Sequence, residues 1–227
     1  MLQTLIRPDI LDMEEYQPVT PLDVLSEELG IPVSRLIKLD GNENPYGPAE
    51  SVRAAMAACD VLHIYPDPMQ ERMRDALARL TGMPREMLLG GAGSDELIDL
   101  LMRLVLRPGD AIINCPPTFG MYSFDAALHG AGVVAVPRDA AFRLDVAGVE
   151  RAAGDGRAKM IFITSPNNPD GSLVDEGDLR RLLALPLLVV LDEAYAEFAG
   201  VSYMPWVAEH DNLVVLRTFS KWAGLAG

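Results

Sequence analysis

Cysteines, basic residues and long apolar runs are scarce in this sequence of 227 residues, and each shortage excludes a class of protein. The two cysteines, Cys59 and Cys115, lack metal-ligand spacing, so we expect reduced, buried thiols, with no disulfide framework and no metal site. The 19 basic and 33 acidic residues give a net charge of −14, and no basic cluster offers a surface for nucleic acid.

Signals for membranes and export are missing as well. The longest apolar run, over residues 182–191, is too short to cross a bilayer. The N-terminus lacks the basic segment followed by an apolar one that a secretory signal requires. We therefore expect a soluble, cytoplasmic protein.

From residue 87 onwards, short apolar segments alternate with amphipathic ones. The periodicity predicts strands over 87–89, 111–114, 133–136, 160–163, 187–191 and 213–216, and helices over 95–106, 119–129, 145–153 and 175–184. This alternation is typical of an α/β fold, and we expect a three-layer α-β-α sandwich with a mostly parallel sheet.

Before residue 87 the pattern is mainly helical. Residues 1–20 are expected to form an irregular arm, and Thr20 and Pro21 predict the N-cap and first residue of a helix that Gly30 ends. Further elements are predicted over 35–39 (a strand) and over 49–58 and 69–80 (helices).

Ligands of parallel sheets bind beyond the carboxyl ends of the strands, where this chain carries distinctive residues. A glycine-rich turn at 90–93 leads into a helix with Ser94 as its expected N-cap, and free backbone N–H groups there suit a phosphate. The alternative is an ordinary tight turn. The segment matches neither the P-loop pattern nor the dinucleotide-binding pattern.

Three further strand ends add an aromatic ring, an amide and a carboxylate. Phe119 offers a flat face to an aromatic ligand, or else packs in the core. Asn168 can donate to a ligand oxygen, although adjacent asparagines are also common in turns. Asp192 follows five apolar residues and is expected to be buried with a cationic partner. A structural salt bridge or helix cap is its alternative, and a metal is less suitable because no histidine or cysteine lies in that segment.

Lys221 follows the last predicted strand, beside the hydroxyls of Thr218 and Ser220. A desolvated lysine can be neutral and can form a Schiff base with a carbonyl, whereas most lysines at such positions are solvated surface charges. A phosphate cradle, an aromatic platform, an amide donor, a buried carboxylate with Tyr195 nearby and a lysine together match one cofactor, pyridoxal 5′-phosphate.

Seven motifs resemble the histidinol-phosphate aminotransferase family, a branch of the fold type I pyridoxal-phosphate aminotransferases of class I/II. They are N-E-N-P-Y-G at 42–47, Y-P-D-P at 65–68, G-S-D-E at 93–96, P-P-T-F-G-M-Y at 116–122, S-P-N-N-P-D-G at 165–171, L-D-E-A-Y at 191–195 and T-F-S-K at 218–221. The resemblance implies an N-terminal arm and helix over 1–34 and the cofactor-binding large domain over 35–227.

The resemblance also implies a role for each residue that would surround the cofactor ring. Lys221 is expected to bond to the cofactor and to move the substrate proton, and Asp192 to pair with the pyridine nitrogen. Asn168 and Tyr195 would hold the ring oxygen, and Phe119 would stack on the ring. Lys221, Asp192 and Tyr195 are thus the implied catalytic residues.

Phosphate, substrate and subunit contacts are implied in the same way. The implied phosphate contacts are Gly93, Ser94, Asp95, Thr218 and Ser220. Tyr65 resembles a tyrosine that reaches the cofactor phosphate of the neighbouring subunit in a homodimer. The implied substrate contacts are Tyr16, Asn44 and Asn168.

The implied reaction transfers an amino group between L-histidinol phosphate and 2-oxoglutarate in histidine biosynthesis. The family pattern continues past the position of Gly227 with an arginine and a C-terminal small domain, so we expect a fragment without full activity. The alternatives are another fold type I enzyme, such as a threonine-phosphate decarboxylase or an aromatic aminotransferase, or a non-catalytic chain that binds the cofactor.

Overall fold

Five short apolar segments pair side by side in the computed structural model of the chain, which describes residues 2–16 and 18–227. They are β1 (Ala111–Asn114), β2 (Gly132–Ala135), β3 (Ala158–Thr164), β4 (Leu188–Asp192) and β5 (Leu213–Leu216). Neighbouring strands are parallel, and their order across the sheet is β2-β1-β3-β4-β5. Parallel strands need cover on both faces, which explains why β1, β3 and β4 are apolar and buried throughout most of their length.

Helices supply that cover. In the described part of the chain they are α1 (Pro8–Leu11), α2 (Leu22–Leu29), α3 (Glu50–Ala57), α4 (Glu71–Thr81), α5 (Gly93–Val105), α6 (Met121–Leu128), α7 (Val146–Ala153), α8 (Glu176–Leu183) and α9 (Ala196–Ala199). Residues of α7 and α8 form one core with the sheet, and residues of α5 and α6 form a second core. The predicted α/β sandwich of three layers is confirmed.

Successive side chains of strand β3 pack alternately into the two cores. Ile161 and Ile163 belong to the core with α7 and α8, whereas Met160 and Phe162 belong to the core with α5 and α6. This alternation is the two-residue period of a strand, whose successive side chains point to opposite faces of the sheet.

Two predicted strands, over 35–39 and 87–89, are wrong. The structure instead places 3-10 turns at Val33–Arg35 and Arg85–Met87, each directly after a proline. The fixed φ of proline suits the start of such a turn, and the extended residues that follow do not join the described sheet. A short apolar run becomes a strand only where a partner strand is available.

The N-terminal arm is more regular than expected. Residues Leu2–Leu5 form a 3-10 turn, α1 follows, and Arg7 Nη1 donates to the Leu128 carbonyl at 3.1 Å, at the end of α6. Helix α2 begins at Leu22 with Pro21 at its N-cap, so Thr20 is not the cap.

The two thiols have different environments. Cys59 is exposed, which corrects the expectation of two buried cysteines. Cys115 is buried, and burial raises the pKa of its thiol to about 11. No helix in the two described ranges is long and apolar enough to span a membrane.

The carboxyl ends of the central strands lie side by side. Thr164, the last residue of β3, is in register with Asp192, the last residue of β4, and Asp192 is in register with Leu216 of β5. The loops that follow these three strands therefore emerge at one edge of the sheet, and the candidate site lies there.

Candidate active site

Asp192 is a buried carboxyl group, with 3% of the residue exposed. Its Oδ1 accepts from the backbone N–H of Ala194 at 3.0 Å, and the Tyr122 hydroxyl lies 2.6 Å from its Oδ2. Burial raises the pKa of Asp192, whereas the contacts with Tyr122 and Ala194 and the charge of Lys221 act in the opposite direction. The position of Asp192 at the end of β4 explains its burial, because this strand lies between β3 and β5.

Lys221 lies on the loop that follows the neighbouring strand, β5. Its Nζ donates to the Gly41 carbonyl at 3.4 Å and lies 5.8 Å from the centre of the Tyr195 ring. The side chain is partly buried, and its charge acts on Asp192. The structure therefore brings Lys221, Asp192 and Tyr195 to the same edge of the sheet.

The loop at 41–47 packs against the lysine loop from the other end of the chain. Asn42 Nδ2 donates to the Tyr195 hydroxyl at 3.1 Å, and Asn44 Nδ2 donates to the Trp222 carbonyl at 3.1 Å. Gly224 allows this approach, because a Cβ built there falls 2.5 Å from the carbonyl carbon of Gly47. Its φ of +68° also lies in the left-handed region that favours glycine.

These loops enclose a pocket of about 660 Å³. Asn44, Asn168, Tyr195 and Lys221 are among the residues that line it. Asn167 also contributes to the lining, but it is only 3% exposed, and its amide Nδ2 is directed to Pro117 O and Asp170 Oδ1. Asn168 is more exposed, so of the two adjacent asparagines it is better placed to meet a ligand.

The start of α5 carries a polar atom without a partner. Ser94 Oγ is buried and has no hydrogen bond to any residue in the described part of the chain. Ala92 is the N-cap, so the prediction of Ser94 as N-cap is wrong, and Ser94 is the second residue of the helix. Its hydroxyl and the free N–H groups of the first turn suit an anion such as phosphate. Gly93 has a φ of +77°, and nothing lies within 4 Å of a Cβ built there, which leaves room beside the helix terminus.

The other expected cofactor residues differ in how they are placed. Asp95 is exposed at the first turn of α5, and its charge acts on Asp192. Thr218 Oγ1 donates to Ser220 Oγ at 2.8 Å, so these two hydroxyls are held together just before Lys221. Phe119 is half-buried and packs edge-on against Tyr122, with the ring centres 5.5 Å apart.

Tyr16 and Tyr65, which are expected to contact the substrate and the partner's cofactor, do not line the pocket around Lys221. Tyr16 lines a second pocket of about 640 Å³ together with Phe119, and its ring lies 5.7 Å from that of Phe124. Tyr65 is 98% exposed. Sequence reasoning gave no role to Tyr122, which is the second residue of α6 and the last residue of the motif at 116–122, although that motif was the signal that could have pointed to it.

Comparison with known proteins gives consistent results. A family model described as aminotransferase class I and II matches residues 34–227. The chain is 58% identical to the histidinol-phosphate aminotransferase of Roseiflexus castenholzii and 55% identical to the chloroplastic histidinol-phosphate aminotransferase of Nicotiana tabacum, each over 98% of its length. The chain spans 62% of the first of these relatives and 54% of the second.

A similar fold occurs in a crystal structure of histidinol-phosphate aminotransferase from Sinorhizobium meliloti in complex with pyridoxal-5′-phosphate. The TM-score is 0.79 at 29% sequence identity, and the match covers 98% of this chain and 60% of that chain.

Proposed function

Because the chain belongs to the aminotransferase class I and II family, we propose that it is the cofactor-binding part of a pyridoxal-phosphate-dependent histidinol-phosphate aminotransferase. The proposed reaction transfers the amino group between L-histidinol phosphate and 2-oxoglutarate in histidine biosynthesis. The observation that carries this proposal is that Asp192, at the end of β4, and Lys221, on the loop after the adjacent strand β5, lie at one edge of the sheet, with an unpartnered buried hydroxyl at Ser94 in the first turn of α5.

The residues at that edge fit pyridoxal 5′-phosphate. The unpartnered Ser94 hydroxyl and the first turn of α5 would bind the phosphate, with Gly93, Asp95, Thr218 and Ser220 beside it. Asp192 would hold a proton at the ring nitrogen, because a buried carboxylate needs a cationic partner. Asn168 and Tyr195 would orient the ring oxygen, and Phe119 would contact the ring face.

When bound, the cofactor supplies an aldehyde that condenses with amines and a ring that withdraws electrons from the substrate Cα. Lys221 Nζ would bond to the aldehyde carbon and would then be displaced by the substrate amine. The freed Lys221 amine would carry the proton between the substrate Cα and the cofactor.

The similarity to the relatives supports a proposal for the substrate, and the family resemblance supports one for the assembly. Tyr16, Asn44 and Asn168 are the proposed substrate contacts, and the identity of more than 50% to two histidinol-phosphate aminotransferases supports histidinol phosphate as amino donor. We further propose that residues 35–227 form the large domain after an arm and helix over 1–34. The proposed assembly is a cytoplasmic homodimer in which Tyr65 reaches the partner's cofactor.

Reconstitution with pyridoxal 5′-phosphate tests this function. We expect a visible absorbance band in the wild-type protein and in Lys159→Ala, and no such band in Lys221→Ala. Lys159 is a matched control because its Nζ also donates to a backbone carbonyl, that of Gly156 at 2.8 Å, but away from the site. A folded wild-type protein without the band would contradict the proposal.

The amino donor is tested on the same sample. L-Histidinol phosphate is expected to remove the visible band faster than phosphothreonine or an aromatic amino acid at the same concentration. A faster response to either of those compounds would assign the chain to another branch of the family.

A further inference from the structure

A chain of hydrogen-bonded side chains runs from Asp192 to the turn at 165–171. The Tyr122 hydroxyl lies 2.6 Å from Asp192 Oδ2 and 2.9 Å from Thr164 Oγ1. Thr164 Oγ1 lies 3.0 Å from Thr118 Oγ1, which lies 3.0 Å from Asn167 Oδ1. The chain therefore has four hydrogen-bond contacts and ends at an amide oxygen.

The contacts of Asn167, at the end of the network away from Asp192, determine which group donates in each hydrogen bond. Asn167 Nδ2 faces two acceptors, Pro117 O at 3.2 Å and Asp170 Oδ1 at 2.6 Å, so both amide protons are used there. The other amide atom, Oδ1, faces Thr118 and has no proton to give. The Thr118 hydroxyl must therefore donate to Asn167.

The remaining contacts follow by counting protons. A hydroxyl has one proton, so Thr118 accepts from Thr164, and Thr164 in turn accepts from Tyr122. Tyr122 has then used its only proton, and its contact with Asp192 Oδ2 is a hydrogen bond only if the carboxyl group carries a proton. An ionised Asp192 leaves three hydroxyl protons for four contacts, and one contact between two acceptors would remain without a proton.

We propose that Asp192 is a neutral carboxylic acid in the protein without cofactor, and that it gives this proton to the ring nitrogen of the cofactor. This second step rests on the proposed function. The O–H bond of Asp192 breaks and an N–H bond forms, so that a carboxylic acid and a pyridine become a carboxylate and a pyridinium ion. Tyr122, Thr164 and Thr118 are positioning residues, which act on the cofactor through Asp192.

Burial and charge around Asp192 agree with this assignment. Asp192, Thr164 and Tyr122 are each at most 3% exposed, and burial raises the pKa of Asp192. The contacts with Tyr122 and the Ala194 N–H lower this pKa, the charge of Asp95, from α5, raises it further, and the charge of Lys221, from the loop after β5, lowers it. Asp192 Oδ1 accepts from the Ala194 N–H, which leaves Oδ2 as the oxygen that carries the proton.

The test uses the titration of Asp192 in cofactor-free protein. Aspartate labelled with carbon-13 at the carboxyl group allows detection by NMR, and Asp192→Asn identifies the signal. We expect the wild-type Asp192 carboxyl group to be protonated at neutral pH. In Thr118→Val, the Thr164 hydroxyl has lost its acceptor and can donate to the Tyr122 hydroxyl instead. The Tyr122 hydroxyl can then donate to Asp192 and stabilise the ionised carboxylate. The titration midpoint of Asp192 should then fall by about one pH unit, the equivalent of one hydrogen bond.

Thr81→Val is the matched control, because it removes a hydroxyl that donates to Leu77 O in α4, far along the chain from the network. It should leave the Asp192 titration unchanged. An Asp192 that is ionised at neutral pH in the wild-type protein, or a midpoint that does not fall in Thr118→Val, would overturn the proposal. If Thr118→Val fails to fold, the protonation state of Asp192 in the wild-type protein at neutral pH is sufficient to support or overturn the proposal. Since no cofactor is present, failure to bind pyridoxal 5′-phosphate is a separate result that concerns the proposed function.

Discussion

Asp125 lies in α6 with a buried carboxyl group, and most of the charges near it are of the same sign. Burial raises its pKa to about 6, with further contributions from Asp95 and Asp99, while His129 acts in the opposite direction. A carboxyl group whose pKa is higher in the folded state stabilises the fold at low pH. That contribution is complete below its ordinary pKa and is lost as the pH rises through the folded-state value.

We predict that Asp125→Asn removes this pH dependence. Between about pH 4 and about pH 7, the free energy of unfolding of the wild-type protein should fall by about 2–3 kcal/mol relative to that of the variant. Urea unfolding at both pH values measures the difference. Asp12→Asn, at an exposed position, should follow the wild type. If the free energies of unfolding of the wild type and Asp125→Asn change with pH in the same way, the Asp125 carboxyl group is not the source of the pH dependence.

Some residues of the candidate site could be predicted from the sequence, and others could not. Lys221 and Asp192 were placed from the sequence because each follows a predicted strand, and adjacent parallel strands bring their ends together. Ser94 was correctly placed at a helix start, but its unpartnered hydroxyl follows from helix geometry that a sequence does not state. Tyr122 meets Asp192 across 70 residues of chain, and nothing local indicates such a contact.

At the level of elements, the close approach of the 41–47 loop and the lysine loop depends on Gly224. We predict that Gly224→Ala lowers the free energy of unfolding by about 2–4 kcal/mol, because a left-handed φ and a backbone clash act together. It should also weaken cofactor binding, since Lys221 and Asn44 lie on the two loops concerned. Thermal unfolding and titration with pyridoxal 5′-phosphate measure the two effects.

Gly156→Ala is the control for backbone strain alone. Gly156 has a φ of +75°, but nothing lies within 4 Å of a Cβ built there. Its substitution should lower the free energy of unfolding by about 1 kcal/mol and leave cofactor binding unchanged. Equal effects at the two glycines would show that the contact between the loops contributes nothing.

Most elements could be predicted closely, including the four-residue strands β1 and β5, whose predicted ranges are the observed ones. Helices such as α5 and α8 show a full apolar stripe, and their predicted ends differ from the observed ends by only one or two residues. The wrong strands, over 35–39 and 87–89, rested on runs too short to show any period. Whether such a run joins a sheet depends on a neighbouring strand, which is a property of the tertiary structure.

At the scale of the whole molecule, large apolar side chains are exposed along residues 37–65. Ile37, Leu39, Tyr46, Leu62 and Tyr65 are each more than 80% exposed. Apolar surface of this kind is typical of a protein interface, and it agrees with the proposed homodimer.

We predict that the protein self-associates and that Leu62→Glu weakens this association by at least about tenfold, because a charge would be buried against apolar surface. Sedimentation at several protein concentrations measures the change. Leu104→Glu is the matched control, since Leu104 is 82% exposed on α5, outside the 37–65 segment. A monomeric wild-type protein, or equal association of both variants, would contradict the prediction.

The contact between Gly47 and Gly224 joins positions separated by most of the chain, and synthesis on the ribosome gives this separation a consequence. The strands from β1 to β4 can emerge and pair while residues 221–224 are still inside the ribosomal tunnel. The 41–47 loop, in contrast, can meet Tyr195 through Asn42 but cannot complete its packing until residues 221–224 have left the tunnel. The order of synthesis therefore lets a nascent chain complete most of its core before the pocket is complete.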